Sequence, residues 1–135
     1  MRTILKKTLG LAALGMTLLT NTVPTWAGMA VSYEVTIRKT PTSISVSGTM
    51  AGARYRPDNK QFIGCRLSAY SPPNLTALCA ARDSAGNDMY CTTNDPKKIE
   101  RLQRMVDSSW ILFNVNTTTG ACDYLDIYNY SYTIR

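Results

Sequence analysis

Between residues 31 and 38 apolar and polar side chains alternate: Val31, Tyr33, Val35 and Ile37 against Ser32, Glu34, Thr36 and Arg38. Period two over such a run predicts a strand with one buried face. Thr40-Pro41-Thr42 interrupts it, and Ile44, Val46, Gly48 and Met50 then alternate with Ser43, Ser45, Ser47 and Thr49. The two segments are expected to pair as a hairpin. A glycine- and arginine-bearing turn segment, 51–60, leads into 61–70, where Ile63, Cys65, Leu67 and Ala69 share a face. Ser71-Pro72-Pro73-Asn74 breaks that strand. Segments 75–82 and 88–93 flank Asp83-Ser84-Ala85-Gly86-Asn87, with Gly86 suited to the left-handed position of a three-residue hairpin loop. A three-stranded meander follows.

The period then changes. Asp95-Pro96 reads as an N-cap with proline at the first helical position, and Ile99, Leu102 and Val106 recur at helical spacing, predicting about three turns ending near Ser108. Residues 110–115 return to strand, 116–120 form a turn, and 121–132 make a last strand, bent or split. Seven to eight short strands and one inserted helix predict a mainly β domain, a small antiparallel sandwich or barrel with the helix on one side.

The amino-terminal segment lies outside this pattern. Arg2, Lys6 and Lys7 precede a nearly uncharged stretch, 8–19, and a polar segment that ends at Ala27. This is the layout of a secretory signal. Its apolar run is too short for a bilayer, which takes about 20 residues. Cleavage is expected after Ala27, with Ala30 as the second choice. That leaves 28–135 as a single domain of roughly 105 residues. No cysteine stands near the cleavage region and no twin arginines precede it, so the general secretion route is expected, to the periplasm or beyond, without a lipid anchor. Three of the fifteen basic residues leave with the signal, so twelve remain against nine acidic ones, about +3. That charge gives no support to a nucleic-acid role.

Four cysteines in an exported domain of this size predict two disulfides. The spacings of Cys65, Cys79, Cys91 and Cys122 contain no C-x-x-C pair and the chain has no histidine, which argues against a zinc site. No metal or cofactor is expected. Counting back from the loop 84–86 puts Cys79 opposite Cys91 and leaves Cys65 for Cys122. Counting across Pro72-Pro73 puts Cys65 opposite Cys79 and leaves Cys91 for Cys122. The reading leans to the first.

Gly52-Ala-Arg54, Gln61-Phe-Ile-Gly-Cys65, Cys79-Ala-Ala-Arg-Asp83, Cys91-Thr-Thr-Asn-Asp-Pro96 and Gly120-Ala-Cys122 stand in an order that resembles a group of small exported four-cysteine bacterial proteins of unknown function. The resemblance covers most of the mature chain. It implies a shape and a compartment, and it carries over no catalytic or binding residue.

Without histidine, no serine or cysteine nucleophile has an imidazole to activate it, and paired thiols leave no thiolate. A carboxylate pair is the remaining catalytic device, to be drawn from Asp83, Asp88, Asp95, Asp123 and Asp126; turn and cap roles explain the first three as well. Asp83, Gly86, Asn87 and Asp88 lack the spacing and closing glutamate of a calcium loop. Lys97, Arg101 and Arg104 lie opposite the apolar helix face, as on a helix that covers a sheet or one that lies on a membrane. Two features point to recognition. Tyr128, Tyr130 and Tyr132 fall on one face at period two, and Arg54, Tyr55, Arg56 and Lys60 form a basic, aromatic-bearing loop.

These features predict a non-enzymatic exported binding module that meets a partner protein or an envelope glycan, inhibitor or immunity types included. A small carboxylate-dependent hydrolase of envelope polymers and a structural part of a surface assembly are the alternatives. The exported protein is expected to begin at Gly28, or at Val31 if Ala30 is the residue read, and to carry no free thiol. Intact mass with and without a thiol-alkylating reagent measures both, and a mass that retains residues 1–27 would remove the export reading.

Overall fold

The alternation along the chain becomes the two faces of its strands. A computed structural model describes residues 31, 33–70 and 74–130. Among them the elements run β1 (Thr36–Lys39), β2 (Ser43–Thr49), α1 (Met50–Arg54), β3 (Phe62–Ala69), β4 (Leu75–Arg82), β5 (Asp88–Thr93), α2 (Pro96–Leu102), β6 (Trp110–Asn116) and β7 (Cys122–Tyr128). They form two antiparallel sheets, a four-stranded one ordered β1-β2-β6-β7 and the three-stranded meander β3-β4-β5. The domain is mainly β with two disulfides, as expected. The expected signal segment and Tyr132 lie outside the described residues.

Within the larger sheet, Ile37, Val46, Phe113 and Leu125 line up across four strands, with Ile111 and Val115 on the same face. Facing them from the meander are Ile63, Ala77, Cys79, Ala81 and Cys91, and all but the half-buried Ile37 belong to the buried core. Large residues on one sheet meet alanines and half-cystines on the other, which lets the two layers close without voids. Ile99 and Leu102 of α2 complete the same core.

Five expectations need correction. β1 begins at Thr36 rather than residue 31, because the backbone before it leaves the sheet to dock on Gln61 and Thr49: the Val35 N–H donates to Gln61 Oε1 at 2.9 Å and the Thr49 N–H donates to the Tyr33 carbonyl at 3.3 Å. The segment taken for a plain turn opens with a second helix, α1, whose N-cap Thr49 accepts the Gly52 N–H at 2.9 Å. A Cβ at Gly52 would stand 2.1 Å from the Tyr33 carbonyl oxygen, so glycine is required there for close approach. The inserted helix α2 ends at Leu102, nearly two turns early; Ser109 Oγ accepts the Val106 N–H and Val106 is half exposed rather than packed. The last strand ends at Tyr128.

The disulfide lean is the fifth correction. The bridges are Cys65–Cys79 and Cys91–Cys122, not Cys79–Cys91 and Cys65–Cys122. Both counted registers are real: Cys79 lies opposite Cys65 on one side and opposite Cys91 on the other. What decides between them is the alternation of wide, hydrogen-bonded pairs with narrow, non-bonded ones, about 5.5 against 4.5 Å between Cα atoms. The closing pairs Tyr70/Asn74 and Asp83/Asn87 are hydrogen-bonded. Five steps from the first makes Cys65/Cys79 narrow, and four from the second makes Cys79/Cys91 wide. The bridged pair has its Cα atoms 4.0 Å apart. Cys91 is then left to reach the other sheet, where Cys122 lies on β7 beside the parallel contact of Thr92 with Ala121.

Cys65–Cys79 staples strands already paired in a hairpin, whereas Cys91–Cys122 joins the sheets across a separation of 31 residues. Chain-entropy arithmetic assigns the longer loop about 3.7 kcal/mol and the shorter about 3. Replacing Cys91 and Cys122 together by alanine is expected to lower the free energy of unfolding in urea by about 3–4 kcal/mol, and more than replacing Cys65 and Cys79. A non-reducing peptide map should yield the two observed links, and a peptide joining Cys79 to Cys91 would refute the parity argument.

Candidate functional site

The outer face of the larger sheet is the polar half of the alternation, with aromatic rings set into it. Trp110 of β6 lies opposite Tyr128 of β7, and their ring centroids are 5.1 Å apart at 54°. Tyr130 stacks on Tyr128 at 5.7 Å and 10°. The three rings form a continuous ridge that takes no part in the buried core.

Across from the ridge stands the segment that precedes β1. Trp110, Tyr128 and Tyr130 form one wall of an open cleft of about 510 Å³, with Tyr33, Glu34 and Arg38 opposite and the hydroxyls of Thr36 and Ser47 between them. Small-molecule sites span about 300–1,000 Å³. The second wall is fixed by the contacts that pull the chain out of the sheet. Gln61, buried, accepts the Val35 N–H and donates through Nε2 to Asp58 Oδ2 at 2.6 Å. The Gln61 amide, with the Lys60 N–H, holds the Asp58 carboxyl below its ordinary value.

Asp126 positions the ridge from below. Its carboxylate accepts the Tyr124 hydroxyl at 3.0 Å, Arg101 Nη1 at 2.8 Å and the Ile127 N–H at 3.0 Å. Burial pushes this carboxyl up, but the hydroxyls of Tyr128 and Tyr124, the Ile127 N–H and Arg101 together hold it below the usual carboxylate value. In return Asp126, then Tyr124, push the Tyr128 phenol up to about 12. Tyr128 is therefore a neutral donor at physiological pH, its ring oriented by an ion-paired acid.

The structure brings Tyr128 and Tyr130 together, and it divides the basic loop. Arg54 and Tyr55 line a separate cleft of about 670 Å³ with Phe62 and Asp107. Arg56 turns to the aromatic cleft, where Nη1 meets Glu34 Oε1 at 2.9 Å. The Lys60 N–H closes the Asp58 turn at 2.8 Å and its side chain is exposed. Sequence reasoning missed Trp110, Tyr33, Glu34, Arg38 and the orienting role of Asp126. Tyr124-x-Asp126-x-Tyr128 on one face of a strand was readable; the other four come from distant segments that only the strand order β1-β2-β6-β7 joins.

The carboxylates considered for catalysis are dispersed and engaged. Asp83 accepts from the Asn87 side chain at 2.8 Å and Asp88 from Arg82 at 2.6 and 2.8 Å, and these bonds hold both acids below the ordinary value. Asp95 caps α2 by accepting the Lys97 N–H, and Asp123 accepts from Asn116 Nδ2 at 3.1 Å. Where a carboxyl shift is resolved among the described residues it runs downward, the wrong direction for a general acid. Nor is there, among the described residues, a cluster of three acids or cysteines able to hold a metal, or a helix long and apolar enough to cross a membrane.

No protein-family model, curated protein or solved structure matches the chain.

Replacing Asp126 by asparagine is expected to cost about 1 kcal/mol at pH 7, since its charge-assisted bonds are partly screened at the exposed Arg101 end. The acid is shifted down on folding, so its contribution is complete above the unfolded value of about 3.9 and disappears as pH falls through the lower folded value. Thermal melts of the wild type and Asp126→Asn should differ at pH 7 and converge as pH falls below that lowered value. A gap independent of pH would show that the charge is not what stabilises the ridge.

Proposed function

We propose that this is an exported, non-catalytic recognition module that binds through the aromatic cleft on the outer face of its larger sheet. The observation that carries the reading is the stacked ridge of Trp110, Tyr128 and Tyr130, held outside the core and oriented by Asp126. Large rigid rings offer contact area at little entropic cost, which suits binding and has no structural necessity on a solvated sheet face. Export by the general secretion route to the periplasm or the medium, without a lipid anchor, fits the two disulfides and the amino-terminal segment.

The hydrolase alternative loses support because no two of its acids share a cleft with one of them desolvated and raised. The assembly alternative needs β7 to be a bare edge, and its outer side is engaged: Lys98 Nζ donates to the Cys122 carbonyl at 2.6 Å, and the Ile127 N–H is satisfied by Asp126. An edge covered in this way is protected against strand addition.

The processed protein, immobilised and exposed to the envelope and secreted fractions of its own host, is expected to retain one defined component. Tyr128→Ser combined with Tyr130→Ser should weaken retention at least tenfold while circular dichroism stays unchanged, whereas Lys60→Ala should retain it. Equal retention by wild type and the tyrosine variant would place recognition elsewhere on the surface.

A further inference from the structure

The cleft combines rings with a charge that no described residue neutralises. Its one lining carboxylate, Glu34, is tied to Arg56 at 2.9 Å. Arg38 is exposed on the outer face of β1, and among the described residues its side chain makes no hydrogen bond or ion pair. Of the other arginines, Arg82 is matched with Asp88, Arg101 with Asp126 and Arg104 with Glu100, while Arg54 and Arg66 do not line this cleft. A guanidinium presents a rigid fork that fits the two oxygens of a carboxylate, sulfate or phosphate. Between Arg38 and the ridge lie the hydroxyls of Thr36 and Ser47, partners suited to the hydroxyl groups of a sugar.

Resting on the recognition reading above, the geometry points to an anionic saccharide as the ligand. An apolar sugar face stacks on the ridge of Trp110, Tyr128 and Tyr130, ring hydroxyls meet Thr36 and Ser47, and the acid group pairs with Arg38. A peptide laid down as an added strand is a poorer fit, because the cleft lies on the face of the sheet and not along an edge.

The processed protein, in which Trp110 is the one remaining tryptophan when cleavage follows Ala27, reports on its own cleft by fluorescence. The probes are a galacturonic-acid hexamer, its methyl ester and a sulfated neutral hexasaccharide, each titrated at low and high salt. The hexamer or the sulfated probe should quench Trp110 with an affinity at least tenfold above that of the methyl ester, and whichever binds better identifies the acid group. Arg38→Gln should abolish that preference, Arg38→Lys should restore part of it, and Lys60→Gln should leave it unchanged. Equal binding of acid and ester, indifferent to Arg38→Gln, would overturn the anionic assignment and leave the aromatic cleft as a recognition site. Absence of quenching by all three probes would overturn the saccharide assignment itself; loss of the host component in the tyrosine variant would then still sustain recognition of another kind.

Discussion

One covalent link sets the relation between the two layers. Cys91 sits on the meander and Cys122 on the last strand of the larger sheet, and their bridge closes the corner where the Thr92 N–H donates to the Gly120 carbonyl at 3.2 Å. The meander offers the core mostly alanine and half-cystine, so apolar burial between the sheets is modest for a domain of this size. A staple across that interface constrains the unfolded chain where packing alone contributes least. The other bridge adds to a hairpin and leaves the arrangement of the layers unaffected.

From this frame the aromatic cleft follows through a short chain of contacts. Gly52 admits the Tyr33 carbonyl, Thr49 donates its N–H to the same oxygen, and Gln61 takes the Val35 N–H. These interactions turn the chain off the sheet just before β1 and stand Tyr33 and Glu34 up as the second wall of the cleft. Gly52 and Gln61 belong to the motifs that carry the resemblance to exported four-cysteine proteins. Their work here is architectural: they shape the cleft without lining its aromatic wall.

How far the sequence could be read follows from the range of each interaction. Period-two alternation placed the strands, since a strand's faces are local, and Asp95-Pro96 placed the start of α2 for the same reason. The end of that helix depends on a local turn in which Ser109 accepts the Val106 N–H and on Asn129, which tertiary contact brings to the Arg104 carbonyl, so spacing alone overran it. The disulfide lean failed although both registers were counted correctly; the missing step was the parity of the closing pair, which both loops already imply. The cleft was half visible. Tyr128 and Tyr130 are neighbours in sequence, whereas Arg38 and Trp110 are far apart and meet only because β2 lies between β1 and β6.

Of the basic face read from the sequence, Lys97, Arg101 and Arg104, Arg101 reaches the sheet, while Arg104 pairs with Glu100 of α2. Lys98 reaches the Cys122 carbonyl and Arg101 reaches Asp126, so two cations cover the outer edge of β7. The second contact has an effect across the strand. Asp126 would otherwise be a bare negative charge beneath the tyrosines; with Arg101 behind it, the acid orients Tyr124 and Tyr128 while contributing little net field to the face above. Glu34 is offset in the same way by Arg56 on the opposite wall. With both acids balanced from outside the cleft, the electrostatic character of this face is set by Arg38. The helix that protects the last strand thus also determines the sign of charge the cleft offers to a ligand.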